Sequence, residues 1–259
     1  MNIVVCIKQV PDTTEVKLDP KTGTLIREGI PSIMNPDDKA ALEAALTIKD
    51  NFNATVHVIT MGPTQAEAVL REALAMGADK AYLLTDKAFS GADTLATSTT
   101  LAAAIRKIDF DLILAGRQAI DGDTAQVGPQ IAEHLGIPNI SYAEEIEITD
   151  GEVSVKRWYE DRYHLVKAKL PCLITVLGEM NTPRYMTPGG IFDAFDKEIT
   201  VWTRSDVEVD DSSIGLKGSP TRVVASYPKS LKGAGEKKVL DTEEAVEYLL
   251  GKLRERGII

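Results

Sequence analysis

Histidine and cysteine are scarce in this chain, and each scarcity excludes chemistry. The three histidines, His57, His134 and His164, are scattered, with no second ligand at metal spacing. Each reads as a structural or surface residue rather than a zinc or catalytic one. The two cysteines, Cys6 and Cys172, each sit inside an apolar strand-like run. They read as buried small hydrophobes rather than a disulfide or redox pair, and a reducing, cytoplasmic compartment fits. Basic residues are also short, 29 against 39 acidic, for a net charge of -10. Phosphate-backbone binding needs clustered Lys and Arg, so a nucleic-acid partner is excluded, as is an anionic membrane surface. Apolar runs such as Ile3–Ile7 and Leu112–Ala115 fall far short of the roughly 20 residues of a membrane span. No membrane insertion is expected, and the N-terminus shows neither a secretory signal nor an organelle presequence.

Familiar catalytic sequences are missing too. Ile7 is followed by Lys8-Gln9-Val10-Pro11, so the glycine fingerprint of NAD-binding Rossmann folds does not follow the first strand. There is no phosphate-binding P-loop, no Gly-x-Ser-x-Gly elbow, no His-Glu-x-x-His and no paired Cys-x-x-Cys. No catalytic residue and no metal site is assigned.

What is present is alternation. The chain has 259 residues, 44% of them hydrophobic, enough for one large core or two small ones. Strands are expected at Ile3–Ile7, Thr55–Met61, Ala81–Thr85, Asp111–Ala115 and Cys172–Val176. Nearly continuous apolar character in the first four is what parallel strands covered on both faces require. Helices lie between them. Asn35-Pro36-Asp37-Asp38 reads as an N-cap, a proline at N1 and an acidic first turn. Thr64–Met76 ends at Gly77, Asp93–Ile108 is rich in Ala and Leu, and Thr124–Leu135 closes at Gly136. The fold class is therefore α/β: a doubly wound, mostly parallel, Rossmann-like sheet. Hairpin additions are expected at Val16–Asp19 with Thr24–Glu28, and at Glu145–Thr149 with Glu152–Trp158 around Asp150-Gly151. A nucleotide-binding domain over 1–202 precedes an arm over 203–259. The arm ends in a helix, Asp241–Arg256, with a capping-box pattern (Asp241, Glu244) and an apolar stripe of Ala245, Val246, Leu249, Leu250 and Leu253. Either the chain's own sheet or a partner subunit must cover that stripe.

The strongest positive feature is Gly116-Arg117-Gln118-Ala119-Ile120-Asp121-Gly122-Asp123-Thr124-Ala125-Gln126-Val127-Gly128-Pro129. It joins the fourth strand to a helix at the carboxyl edge of the sheet, where ligands of doubly wound folds bind. Small residues allow close backbone approach, and amides at the helix start point towards an anion. Asn35–Asp38 and Met61-Gly62-Pro63 should open at the same edge, so three loops converge on a nucleotide pocket.

These stretches also carry a family resemblance. Met34-Asn35-Pro36, Ala73-Leu74-Ala75-Met76-Gly77-Ala78-Asp79, Gly116 to Asp123, Val155–Val176 and Pro183-Arg184-Tyr185 resemble the beta subunit of electron transfer flavoproteins, in matching order as far as about Trp202. The resemblance implies an adenine-nucleotide alpha hydrolase-like fold and a heterodimer with a flavin-carrying alpha subunit. It places nucleotide contacts at Cys6, Asn35, Pro36, Asp37, Asp38, Met61, and Gly116, Arg117, Gln118, Ala119, Ile120, Asp121, Gly122, Asp123, Thr124, Ala125, Gln126 and Val127. Simple members hold AMP there; bifurcating members hold a second FAD that takes electrons from NADH. Two departures favour FAD. Gly122 replaces a side chain of the AMP-type loop, and Val127 stands where those members have a phosphate-binding threonine, a hydrogen bond worth about 1.5–3 kcal/mol. Residues 181–196 match the loop that docks an acyl-CoA dehydrogenase. The family's anchor falls near Pro188, leaving Ile191 and Phe192 as the apolar residues available, unless they pack into the core. An ATP-using enzyme of related architecture would need a Ser-Gly-Gly-x-Asp-Ser-type loop after the first strand, which Lys8 to Asp12 does not supply. A small nucleotide-sensing protein would lack the hairpins and the arm.

Overall fold

The computed structural model describes residues 1–12, 31–149, 151–224 and 237–259. The hairpin expected between Val16 and Glu28 lies outside the described residues. The chain divides into two compact units, 1–224 and 225–259.

In the first unit, strand β1 (Asn2–Cys6) is followed by two short strands, β2 (Gln9–Pro11) and β3 (Ser32–Met34), paired antiparallel. Then come α1 (Pro36–Phe52), β4 (Thr55–Met61), α2 (Glu67–Met76), β5 (Lys80–Leu84), α3 (Thr94–Ile105), β6 (Leu112–Gly116) and α4 (Val127–Leu135). An antiparallel excursion of β7 (Asn139–Thr149), β8 (Glu152–Tyr159) and β9 (Arg162–Lys169) leads into β10 (Cys172–Val176), α5 (Pro188–Asp196) and β11 (Ile199–Trp202). These strands, apart from β2 and β3, form one sheet in the order β11-β5-β4-β1-β6-β10-β7-β8-β9. The seven strands from β11 to β7 run parallel, and β8 and β9 close one edge antiparallel.

Strand alternation sends side chains to two cores. Ile3, Val5, Leu112, Leu114 and Ile174 join the cluster that contains the buried faces of α1 and α2. Val4, Cys6, Ile113, Ala115 and Leu173 join the one containing α3 and α4. Both faces of the central strands are thus dry, which accounts for their lack of an apolar–polar alternation. Val207 and Ile214 are buried in the α3/α4 cluster, so the segment after β11 stays on the first unit.

Several expected boundaries shift, each for a local reason. Residues Thr64–Ala66 form a 3₁₀ turn ahead of α2 rather than its first turn. Helix α4 begins at Val127, not Thr124, because Asp123 and Ala125 take φ of 47° and 52°. That left-handed backbone cannot continue a right-handed helix. The second hairpin forms as expected, with Gly151 at φ 81° in its turn, but β9 extends it to three strands. Strands β9 and β11 were not anticipated. Both are sheet edges with exposed side chains, so neither carries the apolar run of a buried strand.

In the second unit, α6 (Thr242–Glu255) is capped by Asp241, whose carboxylate accepts from the Glu244 amide at 2.9 Å. None of its residues is buried, and Val246, Leu249 and Leu250 of the apolar stripe are exposed.

Gly128 sets how closely α4 can approach the sheet. A Cβ there would lie 2.6 Å from Cγ2 of Thr175, a buried β-branched side chain with little rotamer freedom. Gly128→Ala should therefore cost about 1–3 kcal/mol despite alanine's better helix propensity. Thr175→Ser removes the obstructing methyl and keeps the hydroxyl that accepts from the Tyr142 amide at 3.3 Å. Urea unfolding of the double variant should recover most of the loss; no recovery would locate the strain elsewhere.

Candidate functional site at the sheet switch point

Strand β1 is flanked by β4 on one side and β6 on the other. The chain winds outward through β4 and β5, then crosses back to β6, so the switch point lies between the carboxyl ends of β1 and β6. A crevice opens there because the loops after these two strands leave in opposite directions. The expected loops open at this one edge, because β1, β4 and β6 run parallel, and the start of α1 ties the loop after β6 to the end of β1.

Asn35 occupies the N-cap position of α1 but makes no side-chain cap bond. Its side chain instead clamps the loop after β6: Nδ2 donates to the Gln118 carbonyl at 2.8 Å, and Oδ1 accepts from the Ile120 amide at 3.1 Å. Asp38, one turn into the helix, is buried. Its Oδ2 accepts from the Lys8 amide at 2.8 Å and its Oδ1 from the Gly116 amide at 3.1 Å. One carboxylate therefore joins the ends of β1 and β6. Asp37 borders Gly178 of the loop after β10 and lies 3.6 Å from Nε of Arg117. A fourth tie is the ion pair of Lys8 Nζ with Asp121, 2.6 and 2.8 Å to its two oxygens. A Cβ on Gly116 would overlap Oδ1 of Asp38, and one on Gly178 would sit 2.7 Å from Oδ1 of Asp37. Glycine is required at both positions for the loops to approach the helix.

The pinned loop from Gly116 to Gln126 has an unusual backbone. The amides of Gly122 and Asp123 both donate to the Ala119 carbonyl, at 3.2 and 2.9 Å. Asp123 and Ala125 are left-handed, while Gln126 has φ of -108°. Alternating signs of φ turn successive amides towards one concavity, the geometry of an anion-binding nest. Among the described residues the amides of Thr124 through Gly128 have no hydrogen-bond acceptor, and they run straight into the positive end of α4. A Cβ at Gly122 would meet nothing within 4 Å. This chain thus offers unpaired amides and open space where a phosphate would lie. A phosphate-bearing nucleotide fits the residues present.

Cys6, Met61 and Val127 all lie in or against the apolar cluster on the α3/α4 face. Of the expected contacts, then, these three share one apolar cluster, and the amides left unpaired lie from Thr124 to Val127, because those of Gly116, Arg117, Ile120, Gly122 and Asp123 are spent within the fold. The side chains of Asn35, Asp37 and Asp38 are committed to holding loops. Lys8, Gly178 and the Thr94–Gln126 pair (2.9 Å between side-chain oxygens) were not anticipated. Only a lysine directly after the first strand could have drawn notice. Burial, with a smaller contribution from Asp38, pushes the Cys6 thiol up to about 12, so it stays protonated. Burial likewise lifts Asp37 above the usual carboxylate range, against the pull of Arg117. The arrangement binds and orients; among the described residues it presents no nucleophile–base pair.

A doubly wound α/β fold with an amide cradle at its switch point is the class that this geometry defines. The electron transfer flavoprotein domain matches residues 22–207, and the chain belongs to that family. It is 58% identical over its whole length, and the relative's, to the electron transfer flavoprotein subunit beta of Clostridium acetobutylicum. It is 56% identical, again over the whole of both chains, to subunit CarD of the caffeyl-CoA reductase–Etf complex of Acetobacterium woodii. The acryloyl-CoA reductase electron transfer subunit gamma of Anaerotignum propionicum is 44% identical over the full length of both. The chain is accordingly an electron transfer flavoprotein subunit of the beta type.

The Asp38 junction generates a pH test. Burial lifts its carboxyl from 3.8 to about 7, partly offset by the Asn35 side chain and the amides of Lys8 and Gly116. The folded value exceeds the unfolded one, so the folded chain retains a proton that the unfolded chain has lost between those pH values. The stability contributed by Asp38 therefore falls as pH rises through that window. Asp38→Asn turns an N–H donor towards one of the two amides and should cost about 1–3 kcal/mol. The stability gap between the two chains should narrow as pH is raised from the ordinary carboxylate value to about 7. A gap independent of pH would show that Asp38 is ionised throughout.

Proposed function

We propose that this chain is the beta subunit of a heterodimeric, electron-bifurcating electron transfer flavoprotein that holds FAD in the cradle between Gly116 and Val127. Electrons would enter from NADH and pass towards the flavin of an alpha subunit and on to an acyl-CoA dehydrogenase. The observation that carries the reading is the loop itself. Its free amides extend from Thr124 to Gly128, and Gly122 faces open space. A diphosphate can run along such a stretch, whereas a terminal monophosphate would leave part of it unpaired. Val127 lies against the apolar cluster and offers no hydroxyl to end the chain of contacts. When bound, FAD supplies two-electron acceptance and one-electron release. The chain's own residues bind and orient: Cys6, Met61 and Val127 present apolar surface, and the amides of the loop neutralise phosphate charge. Arg117, within the loop, and Lys8, paired with Asp121, bring positive charge to it.

The surfaces support the proposed partners. Helix α5 seats small residues inward and displays large ones. Ala194 is buried, while Phe192 is 76% and Phe195 71% exposed, and Ile191 is 40% exposed. Ile191 and Phe192 are therefore not core residues of a short helix. With Pro188 at its first turn, α5 is suited to an apolar pocket on a dehydrogenase. Relatives named for caffeyl-CoA and acryloyl-CoA reductases support a partner that acts on CoA thioesters. The exposed stripe of α6 supports a role for the 203–259 arm in holding the alpha subunit. No described helix is long and apolar enough to cross a membrane, and two free buried thiols suit a reducing cytoplasm.

Counting cofactors extracted from the purified heterodimer tests the reading. Two FAD per heterodimer and reduction by NADH are expected; one FAD with one AMP, and no reduction, would make it a simple electron carrier. Gly122→Trp should weaken nucleotide retention by about tenfold, or about 1.4 kcal/mol, with little change in melting temperature because a Cβ there meets no atom within 4 Å. Unchanged occupancy would reduce the loop to a turn.

A further inference from the structure

We infer that Arg71, on α2, is a positioning residue that holds α5 in the orientation needed for partner docking. The inference rests on the docking reading of α5 given above. A nine-residue helix is too short to persist alone, and α5 buries only Ala194, so side-chain burial contributes little to holding it. Its seat on α2 is instead made by backbone. Gly190 lies so close to α2 that a Cβ would overlap the Ala75 carbonyl.

The carbonyls at the end of α5 have no partner within the helix, and Arg71 supplies one. Its Nη1 donates to Ala194 O and to Lys197 O, both at 2.7 Å. Its Nε and Nη2 donate to one Glu67 oxygen at 3.1 and 3.0 Å, which fixes the guanidinium plane. The same plane lies 5.9 Å from the centroid of the Phe195 ring. One cation thus closes the helix end, favours its negative pole and backs an exposed aromatic beside Phe192. Lysine has no planar fork to meet the carbonyls, Glu67 and the ring together. Nothing here touches the nucleotide cradle, so losing Arg71 should disturb docking and leave electron uptake alone.

The test uses the cofactor-loaded heterodimer with an acyl-CoA dehydrogenase of the same cells, and an artificial dye as the control acceptor. Arg71→Ala should speed amide exchange across residues 188–197 and raise KM for the dehydrogenase about tenfold. The kcat at saturating dehydrogenase, and the dye rate, should not change. Arg71→Lys should recover part of the KM effect, and it covers the case in which the alanine variant fails to fold. Unaltered exchange in either variant overturns the inference. So does faster exchange with an unchanged KM when Phe192→Ala raises KM. If Phe192→Ala leaves KM unchanged, the docking reading fails, and the positioning role falls with it even where exchange responds.

Discussion

Three polar side chains at the start of α1 hold the functional edge of this protein together. Asn35 and Asp38 collect the amides of Lys8, Gly116 and Ile120, and Asp37 borders Gly178, so the three join the loops after β1, β6 and β10. Burying a carboxylate is unfavourable unless its oxygens are hydrogen-bonded. Asp38 meets that condition with one amide per oxygen, and its carboxyl still titrates near 7. Asp38 and Asn35 satisfy amides that would otherwise be orphaned, and those amides satisfy two buried side chains in return.

That junction dictates the shape of the cradle. The loop after β6 is clamped at Gly116, Gln118, Ile120 and Asp121, so its remaining length to α4 must turn within a few residues. Left-handed backbone at Asp123 and Ala125 provides the turn. It delays α4 to Val127 and leaves a run of amides facing one concavity. Strain of this kind persists only where the surroundings over-determine it, and the clamps do so here. Gly122 needs no positive φ and is crowded by nothing; its value is the space beside it. Gly128 serves a different purpose, letting α4 pack against Thr175.

The same logic, applied to a surface, accounts for α5. An ordinary surface helix turns large apolar residues inward; α5 turns them out and sits on glycine and alanine. Such a helix must be retained by polar contacts: Arg71 bonds the carbonyls at its end, and the Lys197 side chain that follows it donates to Ala78 O at 2.8 Å. Upstream, Arg184 bonds both oxygens of Glu43 at 2.9–3.1 Å and pins the segment that presents Tyr185.

Much of this was legible in the chain itself. Apolar runs without alternation marked the buried parallel strands, and Pro36 with two aspartates marked the start of α1. The glycines and small residues of Gly116 to Pro129 marked a loop between β6 and the next helix, because these signals are local: periodicity, φ restriction and capping act within a few residues. The uses of the side chains were not legible. Asn35 looked like a helix cap, yet its partners lie 83 and 85 residues away. Asp38 read as a first-turn acid and a nucleotide contact, yet it is buried against the ends of β1 and β6. Ile191 and Phe192 could have been core or surface, and only the Gly190–Ala75 contact and the grip of Arg71 turn them outward. The edge strands β9 and β11 escaped for a related reason, since half-exposed strands carry no apolar run. Local pattern determined which elements form and in what order. Which polar group meets which, and which face of α5 is displayed, follow from pairing at long range, where burial requires each polar group to find a partner.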